Sequence, residues 1–275
     1  MSESPIAVSK SPSGITTITI TRPHRRNAVN PSTARALYAA FINFEEDASQ
    51  KVAVFTGSEG AFCAGADLVD LTAQSKKDPA TLDPLDRNHL QPVQDRNCGP
   101  MGPSRLQVKK PVIAAVAGHA VAGGLELSLL ADMRVVEEDA IFGVYCRRWG
   151  VPLIDGGTVR LQAIVGLGRA LDMILTGRPV SAQEALSMGL ANRVVPKGKA
   201  LEEAAKIAES LLRFPNGCMN VDRNSCYYAA YNSATFEDAM RNEYDRGVKV
   251  LQSESIPGAA RFAAGLGRHG GFDKL

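Results

Sequence analysis

The sequence has no Cys-x-x-Cys pair; Cys63, Cys98, Cys146, Cys218 and Cys226 form an odd and scattered set. That fits neither a disulfide framework nor a zinc site, and it points to a reducing, cytoplasmic compartment. Nor is there an excess of one charge. The balance of 31 Lys and Arg against 29 Asp and Glu leaves +2, too little for an electrostatic footprint on nucleic acid or anionic lipid. Aromatics are 6% of the residues and form no basic aromatic stripe, so no nucleic-acid partner is expected. No apolar run is both long and uninterrupted. The most apolar span, Val112 to Ala131, is broken by His119, Glu126 and Gly123-Gly124, and reads as a buried strand, a glycine turn and a buried helix rather than a membrane span. Met1-Ser2-Glu3-Ser4-Pro5 lacks the basic flank and apolar stretch of a signal peptide, so export is not expected. No repeat of 20–50 residues and no low-complexity tract is visible.

What is present is an alternation of strand and helix signals over a chain of 275 residues, 45% of them hydrophobic. Ile15–Thr21 is β-branched throughout, and Lys51–Thr56 is a short apolar run ended by Gly57; both predict strands. Between them Ala34, Leu37, Tyr38, Phe41 and Phe44 fall at helical spacing behind Pro31. Val112–Ala117 and Met133–Val136 bracket a helix over Gly124–Leu130, as α/β folds require. After Gly157 the pattern is helical: Thr158–Val165, Arg169–Leu175 and Ser181–Met188 with a capping box at Ser181 and Glu184. Beyond an extended Asn192–Val195, helical stretches follow over Leu201–Phe214, Cys218–Tyr231, Phe236–Leu251 and Ala259–Leu266. Thr72–Pro111 differs: six prolines and little periodicity predict a long irregular excursion, the kind of segment that serves as a lid or binding loop.

Two glycine turns and one isolated carboxylate carry the candidate chemistry. Gly118-His-Ala-Val-Ala-Gly123-Gly124-Leu-Glu126 follows a strand and opens a helix, where backbone N–H groups are free. It matches neither the dinucleotide fingerprint nor the P-loop, but its glycines admit a carbonyl close to the backbone. Phe62-Cys-Ala64-Gly-Ala66-Asp67-Leu68 is a second such turn, able to supply the other donor of an oxyanion hole. Glu126 lies almost one helical turn beyond Gly123 in an otherwise apolar helix, so it is paired, solvated or functional. Asp155 precedes Gly156-Gly157-Thr158, where an N-cap is the plain structural alternative. Cys146 reads as a buried hydrophobe, His119 as a hydrogen-bonded core histidine, and Tyr145 and Trp149 as core aromatics. Arg147 and Arg148 are suited to pairing with carboxylates.

These segments resemble the crotonase superfamily of enoyl-CoA hydratases and isomerases. The resemblance rests on Thr21-Arg-Pro-His-Arg25-Arg-Asn-Ala-Val-Asn30, Ala61–Leu68, Lys110–Val116, Gly123–Glu126 and Gly156–Leu161. It implies an α/β fold, a spiral of ββα units over 1–200 that holds the CoA and catalytic site, with a helical trimerisation region over 201–275. It also implies an acyl-CoA thioester as substrate, coenzyme A being part of that substrate and no separate cofactor being needed, and assembly as a homo-trimer or hexamer. Carried over residue by residue, Ala66 and Gly123 match the oxyanion-hole amides. Arg25, Ala64, Asp67 and Leu68 match CoA-binding positions, and Glu126 matches the first hydratase glutamate. Cys146 stands where the second glutamate would be, and a thiol, protonated at neutral pH, activates water poorly. Asp155 falls where related dienoyl-CoA isomerases carry a carboxylate, and an acyl-CoA substrate makes Tyr145, Cys146 and Trp149 candidate acyl-pocket residues. The leading expectation is an enoyl-CoA hydratase in which Glu126 works with water and Asp155 replaces the missing glutamate. The alternatives are an enoyl- or dienoyl-CoA isomerase using the same pair, and a non-catalytic acyl-CoA-binding protein.

Overall fold

The computed structural model describes residues 4–76 and 90–266. The chain divides into two compact units, Met1–Ala208 and Glu209–Leu275.

The described strands of the first unit are β1 (Ile6–Lys10), β2 (Ile15–Ile20), β3 (Val52–Gly57), β4 (Val112–Val116), β5 (His119–Val121), β6 (Met133–Glu137), β7 (Ile141–Gly143), β8 (Val180–Ser181) and β9 (Arg193–Val195). They form a six-stranded sheet ordered β1-β2-β3-β4-β6-β9 and a three-stranded sheet ordered β5-β7-β8. In the large sheet only the β1–β2 hairpin is antiparallel. Its central β3 and β4 are buried almost throughout, which is why both read as continuous apolar runs rather than alternating ones.

Helix α1 (Pro31–Glu46) starts where the sequence places it. Pro31 occupies the first turn, and the Asn30 side chain accepts the Thr33 N–H at 3.0 Å. Its Leu37, Phe41 and Phe44 are fully buried, and Phe41 meets Phe55 of β3, which meets Phe62, edge to face at 5.3 and 5.2 Å. Helix α2 (Leu68–Ser75) runs into the expected excursion, so the segment's first residues are helical. Residues 90–111 are irregular apart from a single-turn 3-10 helix at Pro103–Arg105. Residues 77–89, the middle of the expected lid, lie outside the described residues.

Helix α3 (Gly123–Ser128) does not follow directly from β4. At Gly118 (φ +54°) the chain leaves the large sheet, and β5 pairs with β7 in the small one. β5 and β7, three residues each, escape sequence analysis, and so does the five-residue β1. His119, at the start of β5, is exposed rather than a core histidine. The unit continues with α4 (Gly157–Val165), α5 (Leu167–Thr176), α6 (Ala182–Ser187) and α7 (Ala200–Leu211). Half of the expected capping box forms: the Ser181 hydroxyl accepts the Glu184 N–H at 3.3 Å. The Glu184 carboxylate instead accepts from Arg178, a stronger charged partner, at 2.6 Å.

The second unit holds α8 (Asn216–Tyr231), α9 (Phe236–Val250), a π turn (Leu251–Ser255) and α10 (Ile256–Ala263). Thr235 caps α9, and Glu254 returns to the start of α8, accepting the Gly217 and Cys218 N–H groups at 2.9 and 2.6 Å. Phe236, Met240, Tyr244 and Val248 recur every four residues along α9, and all are exposed.

Candidate active site

One cavity of about 380 Å³ in the first unit is lined by the residues the glycine turns singled out, among them Ala64, Ala66, Leu68, Gly123, Glu126, Tyr145, Cys146, Trp149 and Asp155. Val29 holds the first turn from one side: its N–H donates to Gly65 O at 2.8 Å, and the Asp67 N–H donates to Val29 O at 2.9 Å. In that parallel bridge the intervening Ala66 N–H points away from Val29. The second turn is set by Ala122, a non-glycine residue at φ +53°, ψ −126°. Such a conformation costs about 1–3 kcal/mol and persists only where its surroundings impose it. It presents Gly123 as the first residue of α3. Among the described hydrogen bonds neither the Ala66 nor the Gly123 N–H is a donor.

Gly65 lets the two turns close on one another. It sits at φ +97°, and a Cβ there would lie 2.9 Å from the Ala122 Cβ and 3.1 Å from the Gly123 nitrogen. Any side chain would wedge apart the loops that carry the two amides.

Glu126 is 3% exposed and has no ion pair among the described contacts; its Oε1 accepts the Asp155 and Gly157 N–H groups, each at 2.9 Å. Gly157 is needed for that approach, because a Cβ there would fall 2.9 Å from Glu126 Cγ and Oε1. With Oε1 held by two amides, Oε2 is the oxygen left to exchange protons. Burial, followed by the nearby Asp155 charge, pushes the Glu126 carboxyl up to about 7.

Asp155 is not the cap of α4; Gly156 occupies that position. The Asp155 carboxylate turns instead to the 3-10 turn, where Oδ1 accepts the Met101 N–H at 3.0 Å and a short hydrogen bond from the Ser104 hydroxyl. Burial raises its pKa, opposed by those two donors and by the charges of Arg105 and Arg160. Met101 and Ser104 escape sequence analysis because the proline-rich stretch around them has no period and no motif. Only the fold brings them beside Asp155.

Two of the expected site residues, Arg25 and Asp67, are not in the cavity lining. Arg25 is exposed and does not line the cavity. Asp67 is committed inside the protein: its carboxylate pairs with Arg22 at 2.9 Å, and its amide is the one bonded to Val29. Ala64 and Leu68 from the same turn do line the cavity. Trp149 is 71% exposed, and so no core residue. Arg147 and Arg148 do not pair with carboxylates in the described contacts; Arg147 donates to Ile174 O at 3.0 Å and Arg148 lies 4.8 Å from the centroid of the Tyr145 ring. Cys146 is buried in the cavity wall, and burial followed by the Glu126 charge pushes its thiol pKa up, so it stays protonated.

A profile of the enoyl-CoA hydratase/isomerase family matches residues 10–225, most of the chain. The chain belongs to the enoyl-CoA hydratase/isomerase family. An enoyl-CoA hydratase, EchA19, of Mycobacterium tuberculosis is 34% identical over 244 residues, 86% of this chain and 85% of that protein. A carnitinyl-CoA dehydratase of Salmonella typhi is 36% identical over 196 residues, 71% of this chain and 70% of that one. The crystal structure of an enoyl-CoA hydratase from Mycobacterium tuberculosis superposes with a TM-score of 0.82 at 31% identity, covering 95% of this chain and 96% of that one. Within the enoyl-CoA hydratase/isomerase family, this chain thus combines two cavity-lining amides with a carboxyl pair of Glu126 and Asp155.

Proposed function

We propose that the protein is an enoyl-CoA hydratase that adds water reversibly to 2-enoyl-CoA. The observation that carries the mechanism is one cavity lined by the two undonated amides of Ala66 and Gly123 and by both acidic residues. The thioester oxygen accepts from the two amides, and as the double bond is attacked, negative charge moves onto that oxygen. Fixed donors stabilise it there without reorganisation. The carboxyls share one proton near neutrality. Desolvation and the neighbouring charge favour that proton on Glu126, while the donors on Asp155 favour its ionised form. Asp155 takes a proton from water as the hydroxyl adds to the β-carbon, and Glu126 delivers a proton to the α-carbon as the enolate collapses. The two groups then re-equilibrate with solvent.

Crotonyl-CoA, 3-enoyl-CoA and 2,4-dienoyl-CoA separate this reading from its rivals. Loss of the conjugated enoyl absorbance with formation of 3-hydroxyacyl-CoA is the expected result. Isomerisation without hydration assigns the pair to an isomerase, and thioester binding without solvent deuterium exchange at the α-carbon leaves only a binder. The working unit in this proposal is a homo-trimer or a pair of trimers, with the exposed apolar stripe of α9 as a contact surface between copies.

A further inference from the structure

We infer that Ser104 is a positioning residue of this site: its hydroxyl holds the Asp155 carboxylate as the proton acceptor of the pair and so leaves Glu126 as the proton donor. The inference rests on the hydratase reading and deepens it by naming what divides acid from base.

The two carboxyls are held alike. Glu126 Oε1 accepts the Asp155 and Gly157 N–H groups at 2.9 Å each, and Asp155 Oδ1 accepts the Met101 N–H at 3.0 Å and the Ser104 hydroxyl. Both residues are almost fully buried, at 3% and 4% exposed, so burial does not tell them apart. The count of donors decides. With the Ser104 hydroxyl in place Asp155 matches Glu126; without it, Asp155 keeps one donor against two. Hydrogen bonds to a carboxylate favour its ionised form, so removing this one moves the proton that the pair shares toward Asp155. Among the other groups facing the pair, Arg160 on α4 acts on both carboxyls and Arg105, beside Ser104, acts on Asp155. The Cys98 and Cys146 thiols, facing Asp155 and Glu126, have their pKa values raised by burial and carry no charge at neutral pH.

The turn that carries the hydroxyl is fixed in place. Gly99 and Gly102 exchange backbone hydrogen bonds of 2.8 Å each. A Cβ on Gly99 would overlap the Ser104 Oγ and stand 3.0 Å from Asp155 Oδ1, so glycine is what lets this strand of the turn lie against the pair. Arg160 ties the turn to α4, donating to Ser104 O at 2.6 Å and to Leu106 O at 2.9 Å. Ser104 is 1% exposed and is not part of the cavity lining. It therefore acts through Asp155 and touches no ligand. Asp155 in turn reaches Glu126, because the Asp155 N–H is one of the two donors on Glu126 Oε1.

The test is the pH profile of crotonyl-CoA hydration by the full-length protein and by its Ser104→Ala and Ser104→Cys variants, the second keeping a side chain of similar shape that donates weakly. Hydration needs Asp155 ionised and Glu126 protonated, so kcat/KM rises with pH on an acid limb and falls on an alkaline one. Loss of one hydrogen bond to a charged acceptor is expected to move the acid limb of Ser104→Ala up by about one to two pH units. Ser104→Cys is expected to shift it in the same direction. Near pH 7 kcat is expected to fall roughly tenfold while KM stays within about threefold, since no ligand contact is removed. The position of a limb is read within one profile and does not depend on how much protein folds. An acid limb left in place, with kcat lowered evenly at every pH, shows a merely structural serine; it overturns the inference and leaves the hydratase intact. Asp155→Asn is measured alongside, and full kcat in that variant removes Asp155 as the base, taking both the mechanism and this inference with it. A parent protein that hydrates no thioester removes the hydratase reading and everything resting on it.

Discussion

At the scale of single residues, the buried Glu126 carboxyl ties stability to pH. Raised from 4.5 to about 7, it binds a proton in the folded state that the unfolded chain has already released. Stability therefore falls as pH rises from about 4.5 through about 7, by roughly 3 kcal/mol from this group alone. Glu126→Gln removes that slope. We expect the variant, compared with the parent by urea unfolding, to gain about 3 kcal/mol of relative stability between pH 4 and pH 8. Parallel pH profiles would show that the carboxyl is not held near neutrality. Its turnover should drop roughly a thousandfold or more, since the amide cannot deliver the proton. Cys146→Ala is the contrast. The thiol touches the cavity without moving protons, so kcat for crotonyl-CoA is expected to stay within about threefold, and a hundredfold loss would assign the thiol a chemical part.

At the scale of elements, the site depends on two turns held against one another. Gly65→Ala places a methyl group against Ala122 and the Gly123 nitrogen. The expected result is a loss of about a hundredfold in kcat with a smaller change in KM, because oxyanion donors act chiefly in the transition state. Circular dichroism should report an intact fold; a variant with full kcat would mean that the two amides do not share one oxygen. The long elements were legible in the sequence: α1 announces itself through Pro31 and apolar residues at helical spacing, and β2 through consecutive β-branched residues. Length alone did not divide the rest: the three-residue β9 was read within Asn192–Val195, whereas β1 was not. β5 and β7 have three residues each and exist because the small sheet gives them partners. The pairing of Arg22 with Asp67, across 45 residues of chain, is likewise invisible to local pattern.

For the whole molecule, the stripe of Phe236, Met240, Tyr244 and Val248 along α9 is exposed. Light scattering is expected to give the mass of three or six chains, and Phe236→Asp with Tyr244→Asp to reduce it to one while helical content is kept. A monomeric parent protein would refute that assembly. The sequence by itself determined the family, five of the six strands of the large sheet with the long helices, and the residue types at the two turns, because strand and helix periods and glycine requirements are local. Only the tertiary structure decided what those residues contact. It carried Asp155 away from the helix cap to Ser104 and Met101, set its amide on Glu126, and locked Asp67 into an ion pair. A carboxyl's protonation and reach follow from burial and from neighbours distant in the chain, and no local spacing records either.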